Sequence, residues 1–295
     1  MNPRRWVQRA RRRLPDPLVR AVRATALGWG MLTARWRLAP SVIVVGAQRS
    51  GTTTLFRLLE EHPELVRPTL SKGTGYFDDH YHRGPRWYRA HFPLRWVARR
   101  VTSGAAPRSF ECSGYYLFHP LAAERIARDL PDARVVVMLR DPVARAHSAY
   151  RHEFSRGFES EPFESALALE EERTRGEAER LLTDPHHCSY EHRHHSYRGR
   201  SDYGPQLARF VEAVGRDRIH LIEAERFFAD PAGEFAALQD WLGLTPWHPG
   251  PVRAWNAEPG TPLPDRLTRE LSTWFETREG PLTELLGRPP AWREK

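Results

Sequence analysis

The residues best suited to chemistry follow a short apolar run. Ser41-Val-Ile-Val-Val45 is β-branched and predicts a buried strand. The chain then turns through Gly46 and Gly51 into an amphipathic helix pattern, an arrangement that presents backbone N–H groups and the positive end of a helix to an anion. Arg49 adds a cation, and threonine hydroxyls can donate hydrogen bonds. We therefore predict a phosphate-binding loop, whose candidate contacts are Gln48, Arg49, Ser50, Gly51, Thr52 and Thr53.

This loop nearly matches the phosphate loop of nucleotide hydrolases. Gly46 and Gly51 have the spacing of GxxxxGK[ST], but Thr52 stands where that pattern requires lysine. The missing lysine argues against nucleotide hydrolysis. A P-loop nucleotide kinase or NTPase stays open as an alternative, and it predicts ATP turnover with Mg²⁺.

A second anion site is predicted further along the chain. Residues 134–139 are apolar and β-branched, which predicts another buried strand, and Arg140 follows it directly. Asp141-Pro142 is typical of a helix start. Ser148 lies about two helical turns after Arg140, so its hydroxyl can point at the same anion.

These two segments resemble motifs of sulfotransferases that use 3′-phosphoadenosine 5′-phosphosulfate (PAPS). Residues 46–55 resemble the family's 5′-phosphosulfate loop, and residues 139–150 resemble its 3′-phosphate motif. Residues 76–93, 110–117 and 285–292 are similar to segments of heparan-type carbohydrate sulfotransferases. The resemblance implies transfer of a sulfuryl group from PAPS to an acceptor hydroxyl or amine, with 3′-phosphoadenosine 5′-phosphate (PAP) as product. It also implies that Tyr203 helps to hold the nucleotide.

Sulfuryl transfer requires neutralisation of the leaving phosphate, and an acceptor hydroxyl also requires a general base. Arg49 is the predicted neutralising cation, and Lys72 is a candidate contact to the sulfuryl oxygens. The heparan-type relatives place a catalytic Glu and a His where this chain has Gly73 and Gly75, so the base does not carry over.

Glu111 is the predicted base, since it ends a predicted strand near the loop and relatives often have Glu there. A structural ion pair between Glu111 and an arginine is the alternative. Asp78, His80 and His82 are further candidates.

Strands alternate with helices along the chain, which indicates a parallel sheet covered by helices. Further strands are predicted at 109–112 and 218–222, and helices at 231–242 and 264–278. The predicted fold class is α/β, a P-loop-like three-layer fold with a central, mainly parallel sheet flanked by helices. We assign residues 1–37 to a basic N-terminal arm and residues 38–295 to a sulfotransferase domain.

The arm combines ten arginines with Trp6, Trp29 and Trp36. Peripheral contact with an anionic membrane or another polyanion is one interpretation, and a loosely docked extension is the other.

Residues 160–200 are charged and are interpreted as a long surface excursion. They contain five clustered histidines: His186, His187, His192, His194 and His195. Their spacing fits no standard metal site, so a flexible loop on the acceptor side is preferred and no metal is expected.

The whole chain has 295 residues and a formal charge of +8, which suits an anionic ligand but is also common in arginine-rich proteomes. Cys112 and Cys188 have neither disulfide-framework nor zinc spacing. No signal peptide or long apolar segment is recognised, so a cytoplasmic location is expected. The expected partner is a carbohydrate or small-molecule acceptor, not a nucleic acid. A non-catalytic PAP- or polyanion-binding relative of sulfotransferases is also kept open.

Overall fold

The computed structural model describes residues 16–103, 106–184, 186–252 and 262–294. Five strands lie in these ranges: β1 (Pro40–Gly46), β2 (Leu65–Val66), β3 (Arg108–Cys112), β4 (Arg134–Leu139) and β5 (Ile219–Glu223). They form one parallel sheet in the order β2-β3-β1-β4-β5. The predicted parallel sheet is confirmed. Strand β2 was not predicted, because two residues are too short to show an alternating pattern.

Helices connect the strands and cover both faces of the sheet. They are α1 (Asp16–Leu32), α2 (Thr52–Glu61), α3 (Gly84–Ala90), α4 (Arg95–Val101), α5 (Ala122–Asp129), α6 (Pro142–Ser155), α7 (Phe163–Thr174), α8 (Glu177–Thr183), α9 (Tyr190–His194), α10 (Tyr203–Val214), α11 (Ala224–Ala229), α12 (Pro231–Leu242), α13 (Asp265–Glu276) and α14 (Gly280–Leu286). Short 3₁₀ turns, such as residues 34–36 and 199–201, lie between them.

The sheet separates two apolar cores. Because side chains alternate along a strand, Ile43 and Val45 of β1 face one core while Val42 and Val44 face the other. The first core is completed by α5 and α10, and the second by α2 and α12. The predicted three-layer α/β class is therefore confirmed.

The connections between strands change direction across the sheet at β1. The chain first runs to β2 and β3 on one side of β1, then crosses to β4 and β5 on the other side. In open parallel sheets such a reversal leaves a crevice at the carboxyl ends of the strands, where ligands bind. The two predicted anion sites both begin at this edge, after β1 and after β4.

The prediction of a flexible loop at the histidine cluster is wrong for His192 and His195, because the segment around them, residues 160–200, is largely helical. It contains helices α7, α8 and α9, and His192 and His195 are buried. Apolar residues of α7, including Phe163 and Leu167, pack against α6 and α13 and anchor the segment. Burial lowers the pKa of His192 to about 3, so its ring is neutral, and Nδ1 lies 2.7 Å from the Tyr115 hydroxyl.

Residues 16–37 of the predicted arm are ordered along the domain, and residues 1–15 lie outside the described part. Helix α1 packs against α3, and Arg37 is buried, with its guanidinium donating to the carbonyls of Ala90 and Phe92 at 3.4 Å and 2.6 Å. Within the described ranges, no helix has the length and apolar character needed to cross a bilayer.

Candidate functional site

The turn from β1 into α2 requires unusual backbone at two residues. Arg49 has a φ of 72° and Gly51 a φ of 95°. A Cβ at Gly51 would lie 2.9 Å from Cε of Met138 and 3.0 Å from the ring of Phe228, so only glycine fits there. Helix α2 begins immediately afterwards, with its positive end and its first N–H groups at the turn.

The two predicted anion sites meet in space. Nε of Arg49 donates to Oγ of Ser148 at 3.1 Å, and Nη1 of Arg140 donates to the Arg49 carbonyl at 3.2 Å. The loop after β1 and the strand–helix junction after β4 therefore form one continuous cationic surface, although about ninety residues separate them in sequence.

Asp141 sets the direction of α6, the helix that carries Ser148. Its carboxylate accepts hydrogen bonds from the N–H groups of Val143 and Ala144 at 2.8 Å and 3.2 Å, which caps the helix. Its own N–H donates to Oε1 of Glu225 at 2.9 Å. These bonds fix the first turn of α6, so that Ser148 points toward the loop.

Lys72 reaches the same loop from the connection between β2 and β3. Its Nζ donates to the hydroxyls of Thr52 and Thr53 at 3.4 Å and 3.2 Å. The ammonium group thus lies over the first turn of α2, where it adds a third cation to those of Arg49 and Arg140.

A cleft of about 890 Å³ opens over these groups. Lysine and arginine side chains in its lining outnumber carboxylates by seven to four. The cations are Arg49, Lys72, Arg140, Arg151, Arg156, Arg193 and Arg200, and the carboxylates are Asp78, Asp79, Glu153 and Glu225. A cleft with this excess of cations attracts anionic ligands.

The family follows from a comparison over most of the chain. A model described as "Sulfotransferase family" matches residues 40–249, which include both anion sites and the sheet that carries them. The chain belongs to the sulfotransferase family. The predicted resemblance to sulfotransferases is therefore confirmed at the level of the family.

Individual relatives agree with this assignment. The mouse bifunctional heparan sulfate N-deacetylase/N-sulfotransferase 4 is 26% identical over 256 residues, covering 84% of this chain and 26% of the relative. The mouse heparan sulfate glucosamine 3-O-sulfotransferase 3B1 is 28% identical over 205 residues, covering 70% of this chain and 46% of the relative. This sulfotransferase thus spans less than half the length of these curated relatives.

A solved sulfotransferase from Alicyclobacillus acidocaldarius has a similar structure. The two chains superpose with a TM-score of 0.63 at 27% identity, over 87% of this chain and 100% of that one. The likeness therefore extends beyond the loop after β1 to most of the architecture.

Glu111, the predicted general base, does not line the cleft of this sulfotransferase. It is fully buried. Its Oε1 accepts from the Thr74 N–H, from the hydroxyls of Thr74 and Tyr116 at 2.7 and 2.8 Å, and from the Ser113 hydroxyl at 3.1 Å; Oε2 accepts from the Tyr88 hydroxyl at 2.6 Å. The alternative of an arginine ion pair is also absent from the described contacts. The geometry favours a positioning role, with the carboxylate holding the segment around Thr74 against β3.

The structure gives a physical reason for Gly73 and Gly75. A Cβ at Gly73 would lie 2.4 Å from both the Cys112 carbonyl oxygen and the Ser113 hydroxyl. Gly75 has a φ of 63°, and a Cβ there would lie 2.9 Å from Oδ1 of Asp78. Since neither position accepts a side chain without movement of its neighbours, no acid–base residue fits at either position.

Asp78, in contrast to Glu111, lines the cleft. Burial raises the pKa of its carboxyl to about 6, an effect that Arg193 opposes. His80 lines the cleft beside it, and burial lowers the pKa of its imidazole. His82 lies outside the cleft lining.

Tyr203, expected to help hold the nucleotide, is buried behind the cleft wall. Its hydroxyl donates to the Arg140 carbonyl at 2.9 Å, and burial raises the pKa of the phenol to about 12. Tyr203 therefore supports the backbone of Arg140. It does not line the cleft, whereas Arg49, Arg140 and Ser148 do.

Sequence reasoning missed Arg193 and Arg200 as site residues. Arg193 forms an ion pair with Asp79, while Arg200 donates to the carbonyls of Arg193 and Gly114 at 2.9 Å and 3.3 Å. Burial lowers the pKa of the Arg200 guanidinium to about 9. Both lie among charged residues in the sequence, and tertiary packing of α9, which carries Arg193, and of the 3₁₀ turn at residues 199–201, which carries Arg200, brings them to the cleft.

Proposed function

We propose that this chain transfers a sulfuryl group from PAPS to an acceptor hydroxyl or amine by in-line displacement. The observation that supports it most directly is the junction of the two anion sites, where Arg49 contacts Ser148 and Arg140 contacts the Arg49 backbone. A ligand with phosphate-type groups at two positions fits such a pair of sites better than a nucleotide that is phosphorylated at one position only.

In this proposal the loop residues 48–53 hold the 5′-phosphosulfate, and Arg140 with Ser148 hold the 3′-phosphate. The residues present fit that ligand, because cations, hydroxyls and helix N–H groups form its surroundings. As the acceptor oxygen or nitrogen bonds to sulfur, the bond from sulfur to the bridging oxygen breaks. Arg49 and Lys72 then stabilise the negative charge that collects on the phosphate of the departing PAP.

Asp78 is the general base in this proposal. It lines the cleft beyond Gly75, and its carboxyl group is ionised at neutral pH because its pKa is about 6. A carboxylate with that pKa can take a hydroxyl proton as the bond to sulfur forms. In this proposal Glu111, which we predicted as the base, instead holds the segment around Thr74 in position.

We propose a carbohydrate as the acceptor class, with a small metabolite as the other class to be tested. Two kinds of heparan sulfate sulfotransferase are among the relatives, which supports a glycan acceptor. Arg200 adds positive charge to the cleft lining, and Arg193 lies there in an ion pair with Asp79. An acidic sugar would complement this charge.

A non-catalytic PAP-binding protein is the second candidate, and the burial of Glu111 favours it. If no other residue in the cleft removed the acceptor proton, the fold would bind PAP without transferring sulfate.

Transfer of ³⁵S from labelled PAPS tests the proposal against this candidate. The acceptors are heparosan oligosaccharides, their carboxyl-reduced analogues and a set of small phenols and amines. Acceptor-dependent labelling with matching PAP release supports the proposal. Tight PAP binding without labelling of any acceptor, including an extract of the producing cells, would favour the non-catalytic candidate.

A further inference from the structure

Helix α1 has two faces with different surroundings. Its inner face packs on the domain at Gly30, where a Cβ would lie 2.7 Å from Cβ of Ala90, and Leu27 and Met31 pack against the first core. The face opposite them carries large apolar side chains that the described part of the chain leaves exposed.

Four of these side chains fall on one line. Leu18, Val22, Trp29 and Leu32 are separated by four, seven and three residues, which places them within an arc of about 80° on an α-helix. Their exposed fractions are 47%, 58%, 58% and 68%. We call these four residues the outward stripe. Isolated exposed apolar residues are common, but an aligned set of this size indicates an interaction surface.

The surface continues into a neighbouring segment. Leu38 donates its N–H to the Pro93 carbonyl at 3.0 Å, and Arg37 forms an antiparallel bridge with Leu94. This pairing brings the stretch with Trp36 beside the start of α4, which carries Trp96. Both tryptophans are exposed, and an arginine lies over each ring. Cζ of Arg35 is 3.9 Å from the centroid of the Trp36 ring, and Cζ of Arg100 is 5.1 Å from that of Trp96.

After Asp16 at the start of α1, the charge on these elements has a single sign. Residues 17–37 and 94–103 contain no aspartate or glutamate. The exposed cations of these elements are Arg20, Arg23, Arg35, Arg95, Arg99 and Arg100, and by the same helical spacing Arg20 and Arg23 lie on the side of α1 away from the stripe. Apolar residues with tryptophan and arginine on the same elements match the interface of an anionic bilayer, where the rings lie at headgroup level and the guanidinium groups contact phosphates.

We propose that α1 lies on the surface of an anionic lipid membrane, with the outward stripe inserted at the boundary between headgroups and acyl chains. A second copy of this chain that used the same face would need opposite charge there, and residues 17–37 and 94–103 provide none. The helix lies in the plane of the interface and does not cross the bilayer.

Vesicle flotation of the full chain tests this proposal. The vesicles contain phosphatidylcholine alone or phosphatidylcholine with about one third phosphatidylglycerol. We expect binding to the anionic vesicles at low salt, at least about tenfold weaker binding to the neutral ones, and release at high salt. Trp29→Ser with Leu32→Ser is expected to weaken anionic-vesicle binding by about tenfold or more.

The matched control is Leu182→Ser, which removes a leucine of similar exposure, 53%, from α8. It is expected to bind like the wild type, and unchanged PAP affinity in the double variant shows that the domain is folded. Three results would overturn the proposal: no binding to anionic vesicles, equal binding by the double variant and the control, or a concentration-dependent dimer that the double substitution abolishes.

Discussion

At the scale of single residues, three cations of the cleft donate hydrogen bonds to uncharged partners. Lys72 donates to threonine hydroxyls, Arg140 to a backbone carbonyl, and Arg200 to two backbone carbonyls. Hydrogen bonds of this kind fix the side chains without neutralising them. Their charge is therefore available to an anionic donor, whereas Arg193 is already paired with Asp79.

Ser148→Ala is expected to weaken PAP binding by about tenfold or more, because a hydroxyl bonded to a charged group contributes roughly 1.5–3 kcal/mol. Isothermal titration calorimetry measures this change. Ser155→Ala is the control, since Ser155 lies at the exposed end of the same helix and its hydroxyl donates only to the His152 carbonyl among the described contacts. Equal affinity in the two variants would contradict the assignment of the 3′-phosphate site.

The pH dependence of transfer tests Asp78. The carboxylate form is the active one, and burial places the pKa of Asp78 at about 6. We therefore expect kcat/KM to fall as pH decreases through about 6 and to level off above it. Asp78→Asn should abolish transfer and keep PAP binding. His80→Gln should still show the fall of kcat/KM as pH decreases through about 6. An Asp78→Asn enzyme with wild-type turnover would remove Asp78 from the mechanism.

Glu111→Gln separates a positioning role from a catalytic one. The carboxylate accepts five hydrogen bonds in the protein interior. We expect the substitution to lower the free energy of unfolding by roughly 1–3 kcal/mol, since charge-assisted bonds are weakened. Chemical denaturation measures this value. Wild-type stability together with lost transfer would restore Glu111 as the base.

At the scale of elements, the packing of α1 depends on one of its two glycines. Gly28 has open space around it, whereas Gly30 touches Ala90. Gly28→Ala should stabilise the helix by up to about 1 kcal/mol through helix propensity. Gly30→Ala should destabilise the docked helix by about 1–3 kcal/mol through overpacking.

Amide hydrogen exchange of α1 measures both effects. Protection should rise in Gly28→Ala and fall in Gly30→Ala. The same change in both variants would mean that α1 does not pack on α3 as described.

Elements with a strong local pattern could be predicted from the sequence. The apolar β-branched runs gave β1, β4 and β5 to within a residue, and the Asp-Pro pair gave the start of α6. Helix α9 could not be predicted in this way, because its histidines and arginines resemble a solvated surface. His192 is buried there only because Tyr115 and Phe118 pack around it.

The same limit explains the outcome at the site. Arg49, Arg140 and Ser148 lie in local motifs with a physical reason for their spacing, and the fold brings them together. The role of Glu111 depends on Thr74, Tyr88 and Tyr116, whose positions follow from tertiary packing. No local pattern reports whether a strand-end carboxylate faces a cleft or a ring of hydroxyl donors.

At the scale of the whole molecule, the sheet topology unites the donor site. The connections diverge at β1, so the loop after β1 and the junction after β4 border one crevice. The family model covers this region, residues 40–249, and the excess of cations in the cleft lining suits an anionic ligand. The outward stripe lies on α1, an element that contributes no residue to the cleft lining.

The central claim is that the two anion sites hold the two phosphate ends of one donor. Calorimetric titration with PAP and with 5′-AMP, which lacks the 3′-phosphate, tests it most directly. We expect PAP to bind at least about a hundredfold more tightly, because Arg140 and Ser148 would contact the extra phosphate. Equal affinity for the two nucleotides, or a preference for ATP with Mg²⁺, would contradict it.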